Sequence, residues 1–319
     1  AFLWTVSRMS RLWKWMYEVS DRRNMAEKPV RGIAPVERLL ERLLREWKPD
    51  AVVCTYMVYP YMLDSLASRT GRAVPYLTVV TDSFVINKSW LCSKSPLWAV
   101  TDPWTRAIME EKGLPQDRLR VTGFPVNPVL GALAAEHPLS WKEGEPFRVL
   151  YFAQRSARHA RAELAGMLDA NPALHVTCIL GRRFRRIYPR IRDLRARYGR
   201  RLTVRGWTRR VPSYLAASHV VVGKAGGATV HEVLAAARPM LVNFLLPGQE
   251  EGNTRLLEKL GGGSHVPDAR ALASALQEMM ADGGAQWRRM HENLLRAGMT
   301  GGSGRIADLA LKLAEEHTN

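Results

Sequence analysis

From residue 51 onward, short apolar runs rich in β-branched residues alternate with stretches in which apolar positions recur every three or four residues. "AVVCTY", "YLTVVTD", "LWAVTD" and "LRVTGFPV" predict strands in the first half of the chain. "FRVLYFA", "LHVTCILG", "LTVRGW", "HVVVGK", "PMLVNF" and "GSHV" predict six more in the second. Helical spacing marks "PVERLLERLLREW" and "PWTRAIMEEKG", the latter stopped by Gly113. Three further helices follow the last strand: "ARALASALQEMMA", "AQWRRMHENLLRAG" and "GRIADLALKLAEEH", with "GMTGGSG" as a break before the final one. Strands alternating with helices predict an α/β fold with doubly wound parallel sheets.

The alternation stops at "FPVNPVLGALAAEHPLSWKEGEP", with four prolines and two glycines, which reads as a connection between domains. The predicted organisation is a first Rossmann-like domain over 1–128, a linker over 129–146 and a second Rossmann-like domain over 147–301. A terminal helix over 302–319 is expected to pack back on the first domain. Two such domains would face each other across a cleft, with ligands at the carboxyl ends of the strands.

The opening "AFLWTVSRMSRLWKWMYEVS" places Phe2, Val6, Met9, Trp13 and Met16 on one helical face, with Arg8, Arg11 and Lys14 elsewhere. Such a helix packs on its own core or lies in a membrane interface. No run approaches the ~18 uninterrupted apolar residues of a membrane-spanning helix. The three cysteines are odd in number and far apart, which predicts free thiols in a reducing compartment and argues against a disulfide frame or a metal site.

Charge changes the picture more. The 319 residues carry +17, and +13 of it lies between Arg155 and Arg210, where sixteen arginines stand against Glu163, Asp169 and Asp193. This is either a solvated basic face or the footprint of an anionic partner. Phe184, Tyr188, Tyr198 and Trp207 interleave the arginines, yet no known nucleic-acid motif is present, and a nucleic-acid partner is not expected.

Candidate chemistry concentrates in "VVVGKAGGATVHEVLAAARPMLV". Gly226 and Gly227 follow a strand and are expected to turn the backbone sharply and let a ligand approach closely. Thr229 opens the next helix, whose free N–H groups suit phosphate. Glu232, one turn further in, has the reach and chemistry for a ribose diol. After the next strand, "LLPGQEEGNTRLLEKLG" opens a helix on Gln249, Glu250, Glu251 and Asn253, where a sugar attached to the diphosphate would lie. Gly206 and Trp207 stand just past another strand, positioned to frame a base. An ordinary βαβ unit would show the same glycines.

The run from "RGWTRRVPSYLAASHVVVGKAGG" through "LLPGQEEGNTRLLEKLG", together with "EWKPDAVVCTY", "VPYLTVVTD" and "VTGFPVNP", resembles the GT-B glycosyltransferases of family 28. Within these it is most similar to monogalactosyldiacylglycerol synthases and processive diacylglycerol glucosyltransferases, over roughly residues 35–260. The resemblance implies a UDP-sugar donor site: Gly206 and Trp207 at uracil, Gly226, Gly227 and Thr229 at the diphosphate, Glu232 at the ribose, Gln249 and Glu250 at the sugar. Val211, Lys224 and Asn253 belong to the same donor-binding set. It implies no cofactor and no metal, with the UDP-sugar as a substrate.

The sequence departs from the family in three places. The family's opening strand and Gly-rich loop, whose His is the usual base, have no counterpart, so the first domain is expected to be truncated. Gln154, Arg155 and Ser156 replace glycines after the first strand of the second domain, leaving Arg155 as a possible phosphate contact. "TDSFVINKSW" offers Asn87 and Lys88 where a His often stands, and Asp82 remains as the candidate base. The expected function is inverting transfer of a hexose to a lipid hydroxyl, most plausibly of diacylglycerol, by a cytoplasmic protein peripheral on the inner face of the plasma membrane, docking on an anionic surface. The alternative is a non-catalytic nucleotide- or membrane-binding remnant of the same fold.

Overall fold

The structure, a computed structural model, describes residues 34–136, 139–246, 248 and 250–318. The expected amphipathic helix at the amino terminus and Gln249 lie outside these residues. The chain divides into two compact units, one of residues 1–125, 247–252 and 301–319, the other of 126–246 and 253–300.

In the first unit, helix α1 (Ala34–Trp47) leads into β1 (Val52–Cys54), α2 (Val58–Thr70), β2 (Tyr76–Val79) and β3 (Leu97–Val100). Helix α3 (Pro103–Glu111) and β4 (Leu119–Val121) follow, and the four strands form a parallel sheet in the order β1-β2-β3-β4. Asp102 starts α3 by accepting from Thr105 N at 2.8 Å, with Pro103 in the first turn, where its missing N–H costs nothing. Gly113, at φ +97°, ends that helix's run as its position predicts. Every residue of β2 is buried, because the sheet is covered on both faces. Val80, Trp98, Val100 and Met109 pack on one side, and Leu77, Val79 and Ala99 pack on the other.

The second unit begins with α4 (Val129–Glu136), inside the stretch expected to be a linker. Pro128 stands immediately before it and Leu130 is buried, so prolines read as breakers here mark a helix start. Then come β5 (Phe147–Phe152), α5 (Ala157–Ala170), β6 (Leu174–Ile179), the short helices α6 (Phe184–Ile187) and α7 (Arg192–Tyr198), and β7 (Leu202–Arg205). Next are α8 (Val211–Ala216), β8 (Val220–Lys224), α9 (Gly227–Ala235), β9 (Met240–Phe244), α10 (Glu251–Lys259), β10 (Gly263–His265), α11 (Ala269–Met280) and α12 (Ala285–Ala297). The six strands are parallel, in the order β10-β9-β8-β5-β6-β7. That is the doubly wound Rossmann order, and its topological switch point lies between the carboxyl ends of β5 and β8.

The last helix, α13 (Gly302–Thr318), packs Ile306, Leu309 and Leu313 onto Leu77, Val79 and Ala99 of the first sheet. The break before it is built from Gly298 and Gly301, both at positive φ, a region open to glycine at little cost. Among the described residues, no helix is long and apolar enough to cross a membrane. Cys54 and Cys178 are buried free thiols, and Cys92 is a half-buried one.

Candidate functional site

The switch point of the second unit brings together two loops of opposite character. The first follows β5. Ser156 caps α5 there: its Oγ accepts from His159 N at 3.4 Å and pairs with His159 Nδ1 at 2.8 Å. An orphan donor of that helix start is therefore satisfied within the protein. Arg155, also in this loop, lies 3.2 Å from Oε1 of Glu163 and 3.5 Å from the Asn243 carbonyl. Glu163 is almost wholly buried and also accepts from the Tyr151 hydroxyl at 2.5 Å and from Asn243 Nδ2 at 2.8 Å. Burial and the Glu163 charge hold the Tyr151 phenol well above its ordinary range. Much of the charge of Arg155 thus answers a buried carboxylate. Arg155, Arg158 and His159 line a hollow of about 370 Å³ together with Pro267 and Asp268.

The second loop follows β8. Register slips between Gly223 and Lys224, the Gly226 N–H donates to the Lys224 carbonyl at 2.8 Å, and the Ala225 N–H donates to the Phe244 carbonyl at 3.0 Å. Gly226 is the N-cap of α9, in extended conformation at φ −69°, and no side chain caps the helix. The first helical bond is the Val230 N–H to the Gly226 carbonyl, so by helix geometry the N–H groups of Gly227, Ala228 and Thr229 find no acceptor inside α9. Neither Gly226 nor Gly227 has positive φ, which corrects the expectation that they are needed for a sharp turn. Without a Cβ of their own, they stand beside three N–H donors at the positive end of a nine-residue helix.

Glu232 sits one turn into α9, half-buried, and among the described residues its carboxylate has no hydrogen-bond partner. Burial raises its carboxyl above the ordinary range, the signature of a group desolvated without a compensating partner. Its neighbour His231 is buried, and burial pushes its imidazole down to about 3, so it is neutral at working pH. The two adjacent positions therefore do different things: His231 fills the core and Glu232 faces outward from it.

Of the remaining donor candidates, one reaches the loop before α9 and the others stand on other elements. Asn253 is buried and donates from Nδ2 to the Ala225 carbonyl at 3.0 Å, tying α10 to the β8–α9 loop, while its Oδ1 has no partner. Lys224 is half-buried at the end of β8, and Glu250 is buried before α10. Gly206 and Trp207 follow β7. Phe184 packs against Gly206, where an added Cβ would meet its ring at 3.5 Å, and Trp207 is 58% exposed with the Arg209 guanidinium 5.7 Å from its ring centre. Val211 opens α8, whose carboxyl end is held by Arg238, a buried guanidinium donating to the Leu215 and Ala216 carbonyls at 3.2 and 2.8 Å. Arg238, inside the "AARP" of the candidate stretch, is thus structural, and sequence reading gave no signal of the Glu163 network or of the Ser156 cap.

In the first unit, Asp82 follows β2. Its Oδ2 accepts from Trp90 Nε1 at 2.7 Å, and burial pushes its carboxyl up to about 6, opposed by that single hydrogen bond. Two residues on, Phe84 has φ +58°, a conformation bulky side chains rarely adopt, and its ring stacks on Trp104 at 5.8 Å. Asn87 caps a short turn, its Oδ1 accepting from Ser89 N at 2.9 Å. A strained loop and a raised carboxyl side by side are common at functional sites.

Comparison with known proteins agrees with both units. Residues 3–126 match the family model of monogalactosyldiacylglycerol (MGDG) synthase, and residues 166–302 match that of the glycosyltransferase family 28 C-terminal domain. The processive diacylglycerol beta-glucosyltransferase of Staphylococcus carnosus is 24% identical over 77% of this chain, and the Bacillus subtilis protein of the same name 23% over 88%. The chain spans 63% of the length of the first and 73% of the second. Among solved structures, the UDP-GlcNAc 2-epimerase of Neisseria meningitidis bound to UDP-GlcNAc has a TM-score of 0.62 at 15% identity, covering 87% of this chain and 80% of its own. MurG of Acinetobacter baumannii has a TM-score of 0.61 at 16% identity, covering 85% and 76%. The chain belongs to the GT-B fold, with an amino-terminal domain of the monogalactosyldiacylglycerol synthase family and a carboxyl-terminal domain of glycosyltransferase family 28.

Proposed function

We propose that this chain carries the donor site of a glycosyltransferase that moves a hexose, with inversion, from a UDP-sugar to a lipid hydroxyl, that of diacylglycerol. The observation that carries the reading is the start of α9: an uncapped helix end followed one turn later by an unpartnered, half-buried Glu232. Three N–H donors and the helix dipole suit a diphosphate, and a desolvated carboxylate suits the two hydroxyls of a ribose. The diphosphate neighbours the relatives' chemistry: one structural neighbour binds UDP-GlcNAc, and two relatives are named for glucosyl transfer to diacylglycerol.

In the transfer, the acceptor hydroxyl loses its proton to a base and its oxygen attacks the anomeric carbon. The bond from that carbon to the diphosphate oxygen breaks, and the electron pair leaves with UDP. Donors fixed at α9 stabilise the charge growing on the leaving phosphate without reorganising, so this reading requires no metal and no cofactor. Asp82 is the candidate base, with a carboxyl near 6 that is ionised at neutral pH yet still basic enough to accept a proton. A lipid acceptor fits a protein that works at a membrane surface, and the free thiols support a place on its inner, reducing side.

Calorimetry with UDP tests the donor site. UDP binding that weakens about tenfold or more in Glu232→Ala, the scale of hydrogen bonds to a charged group, supports it. A folded chain that does not bind UDP overturns it, and binding without transfer to diacylglycerol under any UDP-hexose leaves the non-catalytic alternative.

A further inference from the structure

The arginines that give the chain its charge are not spread evenly over the second unit. Between β6 and β7, Ile187, Ile191, Leu194 and Tyr198 are buried at the spacing of one helical face, which fixes the segment of α6 and α7 to the core. Between these buried positions and at the two ends of the segment stand Arg182, Arg185, Arg186, Arg192, Arg195 and Arg200, all exposed.

The acids nearby are already committed. Asp193 holds Arg161 through two hydrogen bonds of 2.6 Å, and Asp169 holds Arg197 and the Tyr198 hydroxyl. Among the described residues none of the six arginines has a carboxylate partner. Among the described residues no ion pair offsets their mutual repulsion, and the Arg186 charge adds to burial in lowering the nearby Arg183 guanidinium.

The position of this face is also informative. The segment leaves the carboxyl end of β6, Arg183 donates to the Gln154 carbonyl in the loop after β5, and Phe184 packs beneath Gly206. The arginine face is thus continuous with the rim that carries the candidate donor loops.

We propose that this arginine face is a docking surface for an anionic lipid bilayer, orienting the donor rim toward the headgroup plane. The orientation rests on the lipid-acceptor reading above; the charge argument does not. Bilayer phosphates fit better than nucleic acid for two reasons. Phe184 and Tyr188 stack on each other at 4.6 Å and Tyr198 is buried, so of the four aromatics among these arginines Trp207 alone, beyond β7, offers bases an exposed ring. Helices α6 and α7 have four and seven residues, too short to read a groove, whereas a convex array of guanidinium forks needs only a plane of phosphates.

The test compares the chain with a combined Arg185→Gln, Arg186→Gln, Arg192→Gln and Arg195→Gln variant, and with the same four positions changed to Lys. Co-sedimentation is measured with vesicles of about one-third phosphatidylglycerol in phosphatidylcholine, and with phosphatidylcholine alone. The expected result is anionic-vesicle binding that falls at least ~100-fold in the Gln variant, survives in the Lys variant and weakens steeply with salt. Circular dichroism and thermal melts of the same samples show that the variants fold, and UDP calorimetry separates the two proposals: a folded parent that does not bind UDP sinks the donor reading alone. Equal vesicle binding by parent and Gln variant means that another part of the chain docks, and overturns the surface. So does binding of single-stranded RNA that is tighter than that of vesicles and is lost in the Gln variant.

Discussion

Burial raises the carboxyls of Asp82 and Glu232 alike, but their surroundings assign them different work. Asp82 retains one hydrogen bond, from Trp90, and a carboxyl near 6, which suits a base. Turnover should therefore rise with pH through about 6 and level off above it, because a base works deprotonated. Asp82→Asn should lower kcat at least ~100-fold with little change in KM for the UDP-sugar. A profile flat from pH about 5 to about 8 in the parent chain would remove Asp82 from the mechanism. Glu163 makes the complementary case of a carboxylate that serves structure. It answers Arg155, Tyr151 and Asn243 at once, so Glu163→Ala should cost about 2–4 kcal/mol by leaving a half-buried guanidinium and two buried donors unmatched, seen as a fall in the denaturation midpoint. At this scale the sequence is weakest: Arg155 was legible as a basic residue in a phosphate-type loop, but its partner eight positions on was not. Nothing in the spacing says which of two neighbouring residues of α5 turns inward.

Helix starts are the element-scale difference between the two loops at the switch point. Ser156 closes α5, while α9 begins on an uncapped glycine. Gly226→Asp should therefore act in opposite senses on two measurements. A carboxylate at the N-cap satisfies the free N–H groups and the dipole, stabilising the helix by about 1 kcal/mol, and it repels and displaces a phosphate from the same donors. UDP affinity should fall at least ~10-fold while the melting temperature holds or rises. A parallel loss of both would mean that the glycine is needed for packing instead. The ten strands among the described residues were legible, most of them from apolar runs, because a parallel sheet covered on both faces leaves little room for polar positions; β10, Gly-Ser-His, is the exception. Helix α4 was not legible, since Pro125, Pro128 and Gly131 look like breakers until Pro128 is seen to precede a helix start. Gly-Gly-x-Thr announced the start of α9, but only the backbone angles show that neither glycine sits at positive φ.

The whole molecule has an imbalance in its titratable groups that sets its acid stability. His219 and His231 are buried, and burial holds both imidazoles down at about 3; the Arg148 charge adds to the effect at His219. His159, His175 and His291 are shifted in the same direction. A histidine held neutral in the fold contributes stability that is fully present above its unfolded value near ~6.5 and is lost as pH falls toward its folded value. Asp82 works the other way, because a carboxyl raised to about 6 favours the fold as it becomes protonated. Between pH about 7 and about 5 the two buried imidazoles outweigh the one carboxyl, for a net loss on the order of 3 kcal/mol. Denaturant melts at those two pH values should show a clearly lower midpoint on the acid side with an unchanged slope. Equal or greater stability near pH ~5 would mean that the imidazoles are already charged in the fold, which their burial beneath Trp287 and inside α9 argues against. The chain's net charge of +17 adds to this trend, since every imidazole that protonates joins a molecule already repelling itself. An anionic surface that neutralises the arginine face should therefore protect the chain most at the acid end of its range.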